Sequence, residues 1–165
     1  MKKVMMLFCL VAAFAFNAFG ATPWKVIDME DVARTGSNCS YDDETCTATF
    51  KGPSDRWFDL PGVSGDLTQH VRLDITVLNS TCMLKVCLRY KTPEGKIEQV
   101  TSATAYNSMK ATLENPKTIK FDLSDNGKIS DEILKNVVAI RVAMAKAVDG
   151  NEAPWTVQFG KVELY

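Results

Sequence analysis

The chain has little of what hydrolytic enzymes and metal sites usually need. His70 is the only histidine, and the sequence contains no Gly-x-Ser-x-Gly, no His-Glu-x-x-His and no phosphate-binding loop. Cysteine spacings do not fit zinc, and nothing in the spacing supports a nucleophile made of Cys87 and His70. We therefore predict that the protein is not an enzyme. Paired carboxylates of the glycosidase kind stay open as an alternative, because any two acids could converge in the fold.

Long apolar runs are also scarce, and the one candidate lies at the start of the chain. Lys2 and Lys3 precede an apolar run at 4–16, and Ala18 and Gly20 place small residues before Ala21. This order is typical of a secretory signal peptide cleaved before Ala21. It predicts a bacterial secreted or periplasmic protein with no membrane span after cleavage.

The chain has no excess of either charge. It carries 19 basic and 20 acidic residues, a net charge of −1. Loss of Lys2 and Lys3 with the signal peptide lowers the 19 basic residues to 17 and leaves about −3. Nucleic-acid binding is not indicated, because it needs a clearly basic domain. With no internal repeat or linker, the expected organisation is a signal peptide (1–20) and one domain (21–165).

Once Cys9 is removed with the signal peptide, the cysteines are Cys39, Cys46, Cys82 and Cys87. An even number in an exported domain favours disulfides, with three possible pairings. A Cys39–Cys46 bridge across the polar stretch between them is the favoured one. Cys82 and Cys87 would face opposite ways on one strand, roughly 16 Å apart. They are left open between free thiols and cross-pairing.

Period-two alternation dominates after residue 45. Apolar residues alternate over 71–77, 84–90, 119–123, 138–144 and 157–164, with an expected β-bulge at Gly160. Shorter strands are predicted near 24–30, 47–50 and 57–60, and a short helix at 130–136 with Ser130 as its N-cap. This pattern of roughly eight to ten short strands predicts an all-β fold, an antiparallel β-sandwich or barrel with one short helix.

The part of the chain from Trp57 to Tyr165 resembles the galactose-binding-like jelly roll of carbohydrate-binding modules. The segments that carry the resemblance are Trp57-Phe58-Asp59-Leu60-Pro61, Gly65–Gln69, Val71–Val77, Leu84–Tyr90, Ile119–Leu123, Val138–Ala143 and Val157–Leu164. The resemblance implies a jelly-roll β-sandwich that binds a glycan without cleaving it. Many such modules hold a structural calcium ion between the first and last strands, which here implicates Asp28, Glu30 and Glu163.

Sugar binding commonly uses an aromatic face for the ring and planar polar groups for the hydroxyls. The aromatic candidates are Trp57, Tyr106, Trp155 and Tyr41, whereas Trp24 on the first strand is expected in the core. Arg89 and Arg141 are the planar polar candidates on the same sheet face or rim.

A basic cluster is a separate expectation from the alternation. The non-core sides of three strands carry four cations, Arg72, Lys85, Arg89 and Arg141, and one acid, Asp74, which offsets part of their charge. If these strands are neighbours, their cations share one face and would suit an acidic glycan or another anionic partner. An ordinary solvated face is the alternative reading. The predicted function is thus a secreted carbohydrate-binding module-like protein, and the alternative is a structural or protein-interaction domain of the cell envelope without a glycan site.

Overall fold

The computed structural model describes residues 21–102, 111–125, 127–148 and 152–165. The predicted signal peptide and Tyr106 lie outside these residues, so their assignments stay predictions. In the described part of the chain, no helix is long and apolar enough to cross a membrane.

The described residues form ten strands and one short helix, here named α1. The strands are β1 (Lys25–Ile27), β2 (Cys39–Asp42), β3 (Thr47–Phe50), β4 (Trp57–Asp59), β5 (Arg72–Ser80), β6 (Cys82–Lys91), β7 (Ile97–Thr101), β8 (Lys117–Asp122), β9 (Val137–Ala147) and β10 (Trp155–Leu164). The helix α1 spans Asp131–Lys135, and the side chain of its N-cap, Ser130, accepts a hydrogen bond from the Ile133 N–H. The helix therefore forms where the sequence places it.

Two antiparallel sheets make the sandwich. The first has the order β2-β3-β10-β5-β8, with β1 also paired to β10, and the second has the order β4-β9-β6-β7. All the strand pairs are antiparallel. The predicted all-β sandwich with one short helix is confirmed.

The core lies between the inner faces of the two sheets, as period-two alternation requires. Fully buried side chains come from both sheets, among them Phe50, Leu73 and Phe121 from the first and Phe58 and Leu88 from the second. Each such side chain stabilises the fold by about 1.5–3 kcal/mol through burial alone.

The last strand carries the irregularity that the sequence predicts. The β10–β5 register shifts between Gln158 and Phe159 and again between Phe159 and Val162. Phe159 and Val162 are both buried although three positions separate them. A bulge between them returns the second half of the strand to the core.

The predicted Cys39–Cys46 disulfide is wrong. All four cysteines of the described chain are free thiols. Cys39 opens β2 and pairs with Phe50, whereas Cys46 lies in the turn at the far end of the same hairpin. The three residues of β2 after Cys39 separate the two by about 10 Å, beyond the reach of a disulfide. The polar stretch between them is half strand rather than a loop.

We expect the folded protein to expose one reactive thiol. Burial raises the pKa of Cys39 and of Cys82 to about 12, and Cys87 is fully buried. Cys46 is half-buried, and burial raises its pKa as well. An aromatic disulfide reagent should therefore titrate Cys46 slowly in native protein of residues 21–165 and all four thiols in denaturant. A count below four in denaturant would show that a disulfide exists.

Candidate functional site

The outer side of the four-stranded sheet gathers most of the polar side chains that the sequence singles out. Strand register sets one row of Asp59, Arg141, Cys87 and Thr101 across β4, β9, β6 and β7. Because side chains alternate along each strand, residues two positions away share this side. We call this surface the basic face and define it by Trp57, Asp59, Lys85, Arg89, Gln99 and Arg141.

A buried carboxylate organises the basic face. Asp59 is only 6% exposed, yet both of its oxygens contact arginines. Arg141 donates from Nε to Oδ1 at 2.8 Å and from Nη2 to Oδ2 at 3.3 Å, and Arg89 donates to Oδ2 at 3.3 Å. The Arg34 guanidinium lies 3.8 Å from Oδ2 at the exposed margin. These contacts fix the positions of the two inner guanidinium groups.

Arg141 connects this ion cluster to the aromatic and amide groups of the face. Its guanidinium carbon lies 3.2 Å from the centre of the Trp57 ring, a stacked cation–π arrangement. Its Nη1 donates to the Gln99 side-chain oxygen at 3.2 Å. Trp57, Arg141 and Gln99 therefore form one continuous polar and aromatic surface across three strands.

A depression of about 290 Å³ opens beside this surface. The depression forms because a small side chain lies between two large ones: Ala143 on β9 is in register with Trp57 on β4 and with Lys85 on β6. A methyl group between an indole and a lysine leaves a gap. Ser54, Asp55, Arg56, Gln99 and Arg141 also line the depression. It therefore presents hydrogen-bond donors and acceptors on several sides.

The structure brings together three of the predicted ligand-binding residues: Trp57, Arg89 and Arg141. Trp155 starts β10 in the other sheet and packs partly against the core. The centre of its ring lies 5.5 Å from the Arg56 guanidinium carbon. Arg56 lines the depression, so Trp155 is adjacent to the site but separated from it by Arg56.

The other aromatic predictions divide between core and surface. Tyr41 packs against the core, with its ring 5.4 Å from that of Phe58. Trp24 was expected in the core but is 49% exposed, and it stacks on His70 at 4.1 Å. The prediction for Trp24 is wrong because Trp24 precedes the short strand β1, which pairs only along one end of β10. His70 and Cys87, considered above as a possible nucleophile pair, have other contacts among the described residues. His70 lies against the exposed Trp24 indole, and the buried Cys87 sulfur contacts the Thr101 hydroxyl at 3.5 Å.

The predicted basic cluster is confirmed for three of its four cations and wrong for Arg72. Lys85, Arg89 and Arg141 share the basic face, but β5 belongs to the other sheet. There Arg72 pairs with Asp74 and stacks on the Tyr165 ring at 4.5 Å. Sequence reasoning missed Asp59, although its place in a strand between Phe58 and Leu60 is a signal, since an acid so close to buried residues needs cationic partners.

Two of the three acids proposed for calcium, Asp28 and Glu163, make local contacts through their carboxylates. Asp28 Oδ1 accepts a hydrogen bond from the Glu30 N–H at 3.0 Å, and Glu163 pairs with Lys161 at 2.7 Å. Within the described ranges, no group of three or more His, Cys, Asp or Glu side chains is placed to hold a metal. Calcium binding through these acids and backbone carbonyls stays a prediction.

The chain matches no family model and no curated protein. Two solved structures of family 30 carbohydrate-binding modules are similar to it. The first has a TM-score of 0.48 and 21% identity, covering 88% of this chain and 85% of that one. The second has a TM-score of 0.45 and 17% identity, with coverages of 72% and 75%. Both neighbours belong to the class of protein that the sequence resembles.

Proposed function

We propose that this protein is an exported, non-catalytic glycan-binding domain whose ligand lies on the basic face. The observation that carries the proposal is the depression between Trp57 and Lys85. There an indole, a guanidinium, an amide and an ammonium group meet on rigid strands. Its volume of about 290 Å³ is at the lower end of ligand pockets, which suits one or two sugar units of a longer chain.

The chemistry of the face fits sugar hydroxyl groups. Each hydroxyl both donates and accepts, so a sugar needs partners of both kinds. Lys85 and Arg141 donate, Asp55 accepts, and the Gln99 amide does both. Strands position Lys85, Arg141 and Gln99 more precisely than loops would, which limits the entropy lost on binding.

The same geometry supports binding rather than cleavage. Both oxygens of Asp59 are engaged by Arg89 and Arg141. This is the arrangement of a structural ion pair, whereas a general acid must present its proton to the glycosidic oxygen.

The alternative function, a protein-interaction domain of the cell envelope, is favoured by one separate observation. Val26 on β1 and Trp24, which immediately precedes β1, are 55% and 49% exposed at the other sheet. Exposed apolar residues of this size are common at contact surfaces. The two functions use different faces and can be separated by mutation.

Substitution of Gln99 by alanine should weaken glycan binding about three- to tenfold. The change removes one ligand hydrogen bond and the oxygen that steadies Arg141. The measurement is affinity electrophoresis of residues 21–165 in gels containing soluble polysaccharides, with and without calcium. Gln99 is exposed on β7, so the variant should fold normally.

The matched control is Gln69→Ala, an equally exposed glutamine in the loop before β5. It should migrate like the parent protein in every gel. Folded parent protein that is retarded by no polysaccharide in either condition would refute glycan binding and favour the protein-interaction alternative.

A further inference from the structure

The basic face holds more positive charge than its own acid can balance. Lys85, Arg89 and Arg141 bring three cations to a face whose only acid is Asp59. Asp55 and Arg56, at the edge of the depression, offset each other. The face thus has an excess of two positive charges on a chain whose net charge is −1. The exposed Arg34 at its margin does not change this excess, because the exposed Asp31 lines the same cavity as Arg34.

The excess charge lies on side chains with little access to water. The side chains of Arg89 and Arg141 are 16% and 12% exposed. Partly desolvated guanidinium groups are costly unless anions compensate them, and one carboxylate compensates only one of the two. A second anion at this position would reduce that cost.

Hydrogen-bond donors also remain for such an anion. An arginine carries five N–H groups. Arg141 uses three, two on Asp59 and one on Gln99, and Arg89 uses one on Asp59. In the described part of the chain, Lys85 forms no ion pair, since the salt bridges found involve other cations.

We propose that the glycan bound at the basic face is anionic, with a carboxylate or sulfate group that lies against Lys85, Arg89 and Arg141. This inference rests on the proposed glycan-binding function and names the class of its ligand. Guanidinium groups bind both carboxylate and sulfate oxygens through paired N–H donors, which gives the site selectivity over neutral sugars.

The test compares polysaccharides that differ only in charge. Residues 21–165 are titrated, without added calcium, with polygalacturonate and its methyl ester, with dextran sulfate and dextran, and with poly-glutamate as a polyanion without sugar. We expect the acid or sulfated form to bind at least about tenfold more tightly than its neutral partner. Binding should weaken when ionic strength rises from about 0.1 M to about 1 M, because the Debye length falls from about 10 Å to about 3 Å. If only polygalacturonate binds, the anion is a carboxylate; if only dextran sulfate binds, it is a sulfate.

A pair of variants locates the anion. Lys85→Gln should weaken binding of the anionic polymer about tenfold and binding of the neutral partner much less, because the glutamine amide can still donate a hydrogen bond to a sugar hydroxyl group. Lys120→Gln removes the same charge from an exposed position on β8 of the other sheet and should change binding less than about twofold. Equal effects of the two variants would overturn the assignment to the basic face.

The remaining outcomes separate the two proposals. Equal binding of charged and neutral partners would overturn the anionic ligand and leave glycan binding standing. Binding of none of the anionic polysaccharides by folded protein would overturn the anionic ligand. Glycan binding itself would fall only if the gels with and without calcium also show no retardation. Binding of poly-glutamate as tight as that of polygalacturonate would overturn a glycan ligand, because charge alone would then explain retention.

Discussion

Replacement of Asp59 by alanine should lower the free energy of unfolding by about 3–5 kcal/mol. The carboxylate is 6% exposed and is the shared partner of Arg89 and Arg141, whose side chains are also largely buried. Without it, two guanidinium groups stay close together and mostly out of water with no compensating charge. Chemical denaturation of residues 21–165, followed by tryptophan fluorescence, measures the loss.

The matched control for Asp59 is Asp31→Ala, an exposed acid on the margin of the same region. Its effect should stay within about 0.5 kcal/mol. A double-mutant cycle of Asp59→Ala with Arg141→Ala should give a coupling energy of about 1–3 kcal/mol. A loss below about 1 kcal/mol for Asp59→Ala would mean that the arginines reach solvent without it and that the carboxylate does not organise the face.

Truncation of Phe58 to alanine should cost about 3–5 kcal/mol of stability. Phe58 is fully buried in β4 and packs edge-on against Phe159 of the opposite sheet, with ring centres 5.3 Å apart. Its removal leaves a cavity between the sheets that rigid strands cannot close. Thermal or denaturant unfolding checks the value.

Phe58 should also affect the binding site, because its neighbours in sequence are Trp57 and Asp59. The three-residue strand β4 is held by β9 on one side and by an isolated bridge from Thr35 on the other. We expect the Phe58→Ala variant to lose glycan affinity at temperatures where it is still folded, whereas Leu113→Ala, at a residue 66% exposed, should change neither property. Unchanged stability of Phe58→Ala would refute the assigned core position.

Part of the site could be predicted because its residues follow the period of their own strands. Lys85 and Arg89 lie opposite the buried Leu84, Val86 and Leu88, so the strand alone sets the side they face. The same argument placed Arg72 on a non-core side correctly, yet assigned it to the wrong surface. Alternation says which side of a strand a residue occupies but not which sheet the strand joins.

The errors have a common physical cause. The Cys39–Cys46 bridge failed because a hairpin whose strands pair in register keeps its end and its turn apart. Trp24 was expected inside because it was placed on the first strand, but it precedes that strand, and whether a residue there is covered depends on its neighbours in the fold. Each error concerns a contact between residues whose separation is set by pairing partners rather than by sequence distance.

The sequence by itself determined the all-β class, the position of the short helix, the bulge in the last strand and the identity of the buried side chains in the long alternating strands. Each of these depends on local chemistry: alternation, an N-cap serine, a change of parity at Gly160. Only the tertiary structure decided that β4, β9, β6 and β7 are neighbours. That order places Ala143 between Trp57 and Lys85 and gives the buried Asp59 its arginines. Strand order follows from how two sheets bury their apolar faces together, and no single strand carries that information.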